Sequence, residues 1–217
     1  MKTEMRKHYN DYIEKFKKAT PDEIQEKMKK AIDELESSND GEGLSAGEKA
    51  PNFNLPDAKG ETVELYEQLK SGPVVLTFYR GGWCPYCNME LRAYQQILDE
   101  IHGEGAELIA ISPQTPDQSL TTQEKNQLNY HVVSDVGNEV ANQYNLVYQL
   151  PDYLVEVYKD KGLQVDKHNG DETWTLPVSA TYIIDTDGTI LYDYTKADYK
   201  DRAEPSDVLE ELKKINT

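Results

Sequence analysis

The stretch PVVLTFYRGGWCPYCNMELRAYQQI, residues 73–97, decides the fold. Residues 73–79 are a nearly continuous apolar, β-branched run, the composition of a strand buried on both faces of a sheet. Gly81 and Gly82 break the run, and the apolar positions Met89, Leu91, Tyr94 and Ile97 then return at helical spacing. Between strand and helix stands Cys84-Pro85-Tyr86-Cys87, which holds both cysteines of the chain. This order puts two thiols at the first turn of a helix, where unpaired N–H groups and the helix dipole favour a thiolate. Redox chemistry at Cys84 and Cys87 is the expectation. Inert thiols and a zinc half-site are the alternatives. A structural zinc wants four ligands, and His8, His102, His131 and His168 show no paired ligand spacing among themselves or with the cysteines.

Working outward, the helical pattern runs on through Leu98 and Ile101 to Gly103. AELIAIS (106–112) reads as a second buried strand, TPDQSLTTQEKNQL (115–128) as a helix opening at Pro116, and YHVVSD (130–135) as a third strand. The alternation predicts a parallel core with helices on both faces. ATYIID (180–185) and TILYDY (189–194), joined around Gly188, read as a hairpin, which makes the sheet mixed. EPSDVLEELKKI (204–215) is a closing helix with Val208, Leu209, Leu212 and Ile215 on one face. FNL and TVEL flank PDAKG (56–60) as a short hairpin, PDYLVEVYKD (151–160) suggests a helix, and QVDKHNGDETW (164–174) reads as an exposed loop or flap.

On the N-terminal side, Met5, Tyr9, Tyr12, Ile13, Phe16 and Ala19 form one apolar stripe, and Ile24, Met28, Ala31, Ile32 and Leu35 form the next. Thr20, Pro21 and Glu23 supply the expected cap, first helical position and capping box of the second helix. The organisation is a helical hairpin over 1–38, a polar linker over 39–50 and a main domain over 51–217. The hairpin is expected to pack on the main domain's flank, with a partner-binding or dimerising arm as the other reading.

The formal charge of the 217-residue chain is −17, and residues 1–36 carry 9 basic and 9 acidic side chains, so the whole excess lies beyond them. Such a surface repels phosphate backbones and anionic lipids, which disfavours nucleic-acid and membrane binding. No stretch approaches the roughly 20 apolar residues of a membrane span, and the first residues lack a signal-peptide core. The expected compartment is the cytoplasm, where a close cysteine pair means redox chemistry or metal.

FYRGGWCPYCNMELRAY (78–94), LIAISPQTPDQSLTTQEKN (108–126), VVSDVGNEVANQYNLV (132–147) and TYIIDTDGTI (181–190) together resemble the alkyl hydroperoxide reductase and thiol-specific antioxidant superfamily, in its peroxiredoxin-like branch with a thioredoxin-type motif. The resemblance runs from about residue 47 onward. It implies an α/β thioredoxin fold, a central mixed sheet with helices on both faces. It also implies reduction of hydroperoxides and regeneration by thioredoxin or a similar dithiol donor. No cofactor is implied, and a homodimer is left open.

Carrying the family's residues across gives two registers. Counting nine residues on from Phe78 reaches Cys87, with Glu90 matching the glutamate that follows; Cys87 is then the peroxide-attacking thiol. In that register the family's proline, threonine and arginine fall on Arg80, Cys84 and Ser179, leaving Arg80 or Arg92 to supply a guanidinium. Read as a thioredoxin, Trp83 precedes Cys84, making Cys84 the exposed attacking thiolate and Cys87 the buried resolving one. Ser179 then replaces the cis-proline and brings a hydroxyl that could face the thiols. Trp83 and Tyr86 are candidates for an apolar rim that receives an alkyl peroxide or a partner disulfide. A thiol–disulfide oxidoreductase without peroxidase activity, and a metal or iron–sulfur redox sensor built from two chains' dithiols, are the competing functions.

Overall fold

The computed structural model describes residues 5–215; the outermost residues of the predicted hairpin, 1–4, and of the main domain, 216–217, lie outside the described residues. Two helices, α1 (Met5–Ala19) and α2 (Asp22–Glu36), precede a hairpin of β1 (Asn54–Pro56) and β2 (Thr62–Glu64) and a short helix α3 (Leu65–Gln68). The dithiol stretch follows as β3 (Val74–Phe78), α4 (Pro85–Gln96) and α5 (Leu98–Gly103), then β4 (Glu107–Ser112), α6 (Pro116–Asn126), β5 (His131–Ser134) and α7 (Glu139–Gln143). The remainder is β6 (Val147–Gln149), α8 (Asp152–Asp160), α9 (Val165–Asn169), β7 (Thr175–Pro177), β8 (Ala180–Ile184), β9 (Ile190–Thr195) and α10 (Pro205–Ile215).

The central sheet has the order β5-β4-β3-β8-β9. Strand β3 runs parallel to β4, with Leu76 opposite Ile109, and antiparallel to β8, with Leu76 opposite Tyr182. The predicted mixed sheet is therefore present, with the β3 run in its middle and every residue of it buried. Alternation divides the strands between two cores. Val75, Leu108, Ala110, Val132 and Ile183 face a layer built from α4, α5 and α10. Val74, Leu76, Phe78, Ile109 and Val133 face the other side, covered by α3 and α7.

Three local expectations change. The helix predicted through 101 is broken at Ile97 (φ −115°), whose carbonyl accepts from the Glu100 and Ile101 amides; the break re-aims Leu98 and Ile101 into the core. Thr20 does not cap α2, because the N-cap is Pro21, no side chain bonds there, and the Gln25 amide instead donates to the Thr20 and Lys17 carbonyls. Residues 164–174 are not an exposed flap. They contain α9, and Val165 and Trp174 pack with Leu150, Leu154, Tyr158 and Leu176 in a third apolar cluster.

The N-terminal helices do more than cover a flank. Helix α1 packs on α4 and α2 on α8. Met5 and Tyr9 belong to the same buried cluster as both cysteines, while Ile24 and Met28 lean on the third cluster.

Candidate active site around the dithiol

The turn from β3 into α4 needs both glycines. A Cβ on Gly81, whose φ is +147°, would lie 2.4 Å from Trp83 Nε1, and one on Gly82 would lie 2.2 Å from Thr122 Oγ1. Only a bare backbone fits between these side chains. A buried polar network then fixes the turn. Gln114 accepts from the Gly82 amide and donates to Thr122 Oγ1 (3.3 Å). Asn88 Nδ2 donates to the carbonyls of Gly82 (2.7 Å) and Cys84 (3.0 Å), and Asn126 Nδ2 donates to Asn88 Oδ1 (2.7 Å).

Cys84 is the N-cap of α4 and Pro85 its first residue, so Cys87 sits in the first helical turn. Proline suits that position because its missing N–H would have no partner there. Both sulfurs are free thiols and both residues are buried. The exposed Cys84 of the thioredoxin-type register is thus corrected: the hairpin aromatics and Tyr86 close over it. Cys84 still lines a cleft of about 220 Å³, whereas Cys87 lies behind it.

The electrostatics of the two thiols differ. Burial alone would push Cys87 up, but a hydrogen bond with Cys84 and the charges of Arg202 and Arg80 outweigh it and hold Cys87 well below the usual thiol range. Cys84 is pushed well above it by burial and by that same bond to Cys87. Arg202 Nη2 donates to Cys87 Sγ at 3.2 Å, and Arg202 Nη1 donates to Glu90 Oε2. Burial pushes the Glu90 carboxyl up to about 7, against the pull of Arg202. A guanidinium forked between a thiolate and a carboxylate is the arrangement that stabilises a sulfur anion out of water.

The guanidinium expected at the thiol from Arg80 or Arg92 therefore comes from Arg202, in the segment between β9 and α10. Arg92 is exposed and donates to Asn126 Oδ1 (2.8 Å). Arg80 is buried, but it turns to the aromatic wall. Its Nη2 donates to Tyr158 Oη (2.6 Å), and its guanidinium carbon lies 4.4 Å from the Tyr199 ring centre and 4.9 Å from that of Trp83. Tyr86 and Trp83 both line the cleft. Tyr86 is held from α1, whose Tyr9 Oη donates to the Tyr86 carbonyl (2.7 Å) and whose Tyr12 meets its ring edge-on (5.2 Å). Ser179 makes no hydrogen bond to the thiols: it is buried just ahead of β8, and its Oγ meets no hydrogen-bond partner. Among the described residues no group of three or more His, Cys, Asp or Glu side chains could hold a metal ion.

Sequence reading missed Arg202, Tyr9 and Gln114. Arg202 follows Cys87 by 115 positions and lies in an irregular segment, so neither spacing nor period marks it.

Residues 46–193 match the AhpC/TSA family. The chain is 29% identical over 151 residues to the chloroplastic peroxiredoxin Q of Gentiana triflora, covering 70% of this chain and 59% of that protein. It is 31% identical over 103 residues to peroxiredoxin Bcp of Escherichia coli strain K12, covering 48% of this chain and 65% of that one. The alignments thus span about three fifths of these relatives' length. Among solved structures, peroxidoxin BcpB of Mycobacterium tuberculosis superposes with a TM-score of 0.65 at 24% identity, over 80% of this chain and 99% of that one. PrxQ of Xylella fastidiosa superposes with a TM-score of 0.65 at 15% identity, over 82% and 100%. These similarities establish the thioredoxin-type fold. With a family match that runs from the linker through the dithiol turn into β9, the chain belongs to the AhpC/TSA family.

Proposed function

We propose that this chain is a thiol peroxidase in which Cys87 attacks and Cys84 resolves. The observation that carries the reading is the Arg202 guanidinium on Cys87 Sγ, which gives Cys87, and not Cys84, the stabilised thiolate. The Cys87 thiolate attacks the terminal oxygen of a hydroperoxide, the O–O bond breaks, and the alkoxide leaves as an alcohol after taking a proton. The sulfur is oxidised to a sulfenic acid. The Cys84 thiol then displaces water from it, forming a Cys84–Cys87 disulfide. An external dithiol, thioredoxin or a donor like it, reduces that disulfide by attacking Cys84, the sulfur on the cleft wall. The setting that keeps the cycle turning is a reducing compartment such as the cytoplasm.

The test is stopped-flow oxidation of the reduced protein by hydrogen peroxide and by an alkyl hydroperoxide, with Cys84→Ser and Cys87→Ser in parallel. Cys84→Ser should still consume one equivalent of peroxide at a rate far above that of a free thiolate, and Cys87→Ser should not. Rates no better than a free thiolate in every protein would sink the reading.

A thiol–disulfide oxidoreductase is the second reading, favoured by the position of Cys84 on the cleft and of Cys87 behind it. It requires Cys84→Ser, rather than Cys87→Ser, to abolish reaction with a model mixed disulfide.

A further inference from the structure

The cleft over Cys84 has an unusual charge balance for this chain. The sequence carries 40 acidic side chains, yet none of them lines the cleft, while Arg80 and Lys161 both do. Lys161 is exposed and stands at the mouth; Arg80 is 2% exposed and lies deep. Arg80 makes no salt bridge among the described residues. Its Nη2 donates to the phenol of Tyr158, the Tyr148 phenol is a second hydrogen-bond partner, and its Nε is buried with no partner. The nearby phenols of Tyr148 and Tyr199 are pushed up by burial and stay neutral, so they supply no counter-charge. A second buried donor on the same wall, Trp83 Nε1, is also unpartnered. Arg202, by contrast, has Glu90 and Cys87.

A buried unpartnered donor is costly, and Arg80, whose charge reaches Cys87 but which makes no ion pair of its own among the described residues, keeps donor capacity for an anion that arrives from outside. Most of the remaining wall is apolar or aromatic: Phe16, Ile24 and Met28 of the hairpin line it together with Trp83 and Leu163. At about 220 Å³ the space admits a short aliphatic or single-ring molecule.

We propose that this cleft binds a small monocarboxylate with an apolar body, its carboxylate paired with Arg80 and its reactive group presented to the dithiol. The reactive group is either the hydroperoxide that oxidises the pair or the thiol that reduces its disulfide. This assignment of a substrate class rests on the redox reading above, but the binding step does not. In either case Arg80 positions the substrate and takes no part in bond breaking. The hairpin closes the cleft and so sets the size of molecule admitted.

The experiment is calorimetric titration of the reduced protein with octanoate and with neutral octanamide, in the wild type, Arg80→Met and Arg80→Lys. Wild type should bind the acid at least tenfold more tightly than the amide; Arg80→Met should lose that preference and Arg80→Lys should retain part of it. Near-equal affinities in the wild type, or a preference that survives in Arg80→Met, would overturn the proposal. Circular dichroism of both variants is recorded alongside, and a native spectrum is required before a lost preference is read as loss of the Arg80 contact. Octanoate is then added to each half-reaction, oxidation of the dithiol by peroxide and reduction of diamide-formed disulfide by a small thiol. Slowing of the first assigns the site to the hydroperoxide, and slowing of the second assigns it to the thiol. Octanoate that binds but slows neither overturns the substrate assignment. Failure of the peroxidase reading leaves the calorimetry and the disulfide half-reaction intact, so the two failures are distinguishable.

Discussion

Cys87, Arg202 and Glu90 form a three-member charge set in which one cation serves two acids. Below pH of about 7 Glu90 is mainly protonated, and the Arg202 charge is opposed by Cys87 alone; above it the Glu90 carboxylate competes. The absorbance of the Cys87 thiolate should therefore show an inflection near pH 7 beside its own titration. Glu90→Gln should remove that inflection and lower the Cys87 pKa further, because a negative neighbour is gone. A profile unchanged by the substitution would mean that Glu90 does not feel the thiolate. Arg202→Met leaves two buried acids uncompensated and should cost about 3–5 kcal/mol. The sign follows from linkage: the Glu90 carboxyl, raised in the fold above its ordinary value of 4.5, takes up a proton at low pH and relieves the penalty. Denaturant melts of this variant should thus lie nearer to wild type at pH 5 than at pH 8. At this scale the sequence was half legible. Cys84, Cys87, Trp83 and Tyr86 could be read because they adjoin in one motif. The arginine could not, since the family's position for it holds Ser179 and its replacement reaches the sulfur only through the tertiary fold.

Among the elements, α1 is the one that converts a redox turn into a closed site. Its Tyr9 crosses to the Tyr86 carbonyl, and its Tyr12 packs on the Tyr86 ring, which itself meets Tyr199 at 5.5 Å. Tyr9→Phe removes one buried hydrogen bond and should lower stability by about 1 kcal/mol. It should also speed alkylation of Cys84 by iodoacetamide, because the latch over α4 is loosened. Equal alkylation rates would assign the closure to ring packing rather than to the hydroxyl. Helices and strands were readable here because apolar pattern records burial: α1, α2 and α4 carry a helical period, and β3 an unbroken apolar run. Helix α9 carries too few residues for a period, and its buried Val165 and Asn169 sit among charges, so it looked like a loop. The contact between the hairpin and the dithiol was equally hidden, since a stripe shows that a face is buried but not against what.

Over the whole molecule a net negative surface surrounds an interior that buries charges of both signs. The chain carries −17, while Arg80 and Arg202 sit inside, and the charges of both act on Cys87. Surface self-repulsion is screened by salt, so thermal stability should rise from low to near-physiological ionic strength; a flat response would mean that the acidic side chains are too dispersed to repel. The separation in sequence between Cys87 and its arginine bears on how the chain is made. Synthesis delivers the hairpin, β3 and the dithiol to solution well before residue 202 leaves the ribosome. Throughout that interval Cys87 lacks the guanidinium that stabilises its thiolate. On the proposed reading, the cysteine gains this partner only once β9 and α10 have closed the fold around it.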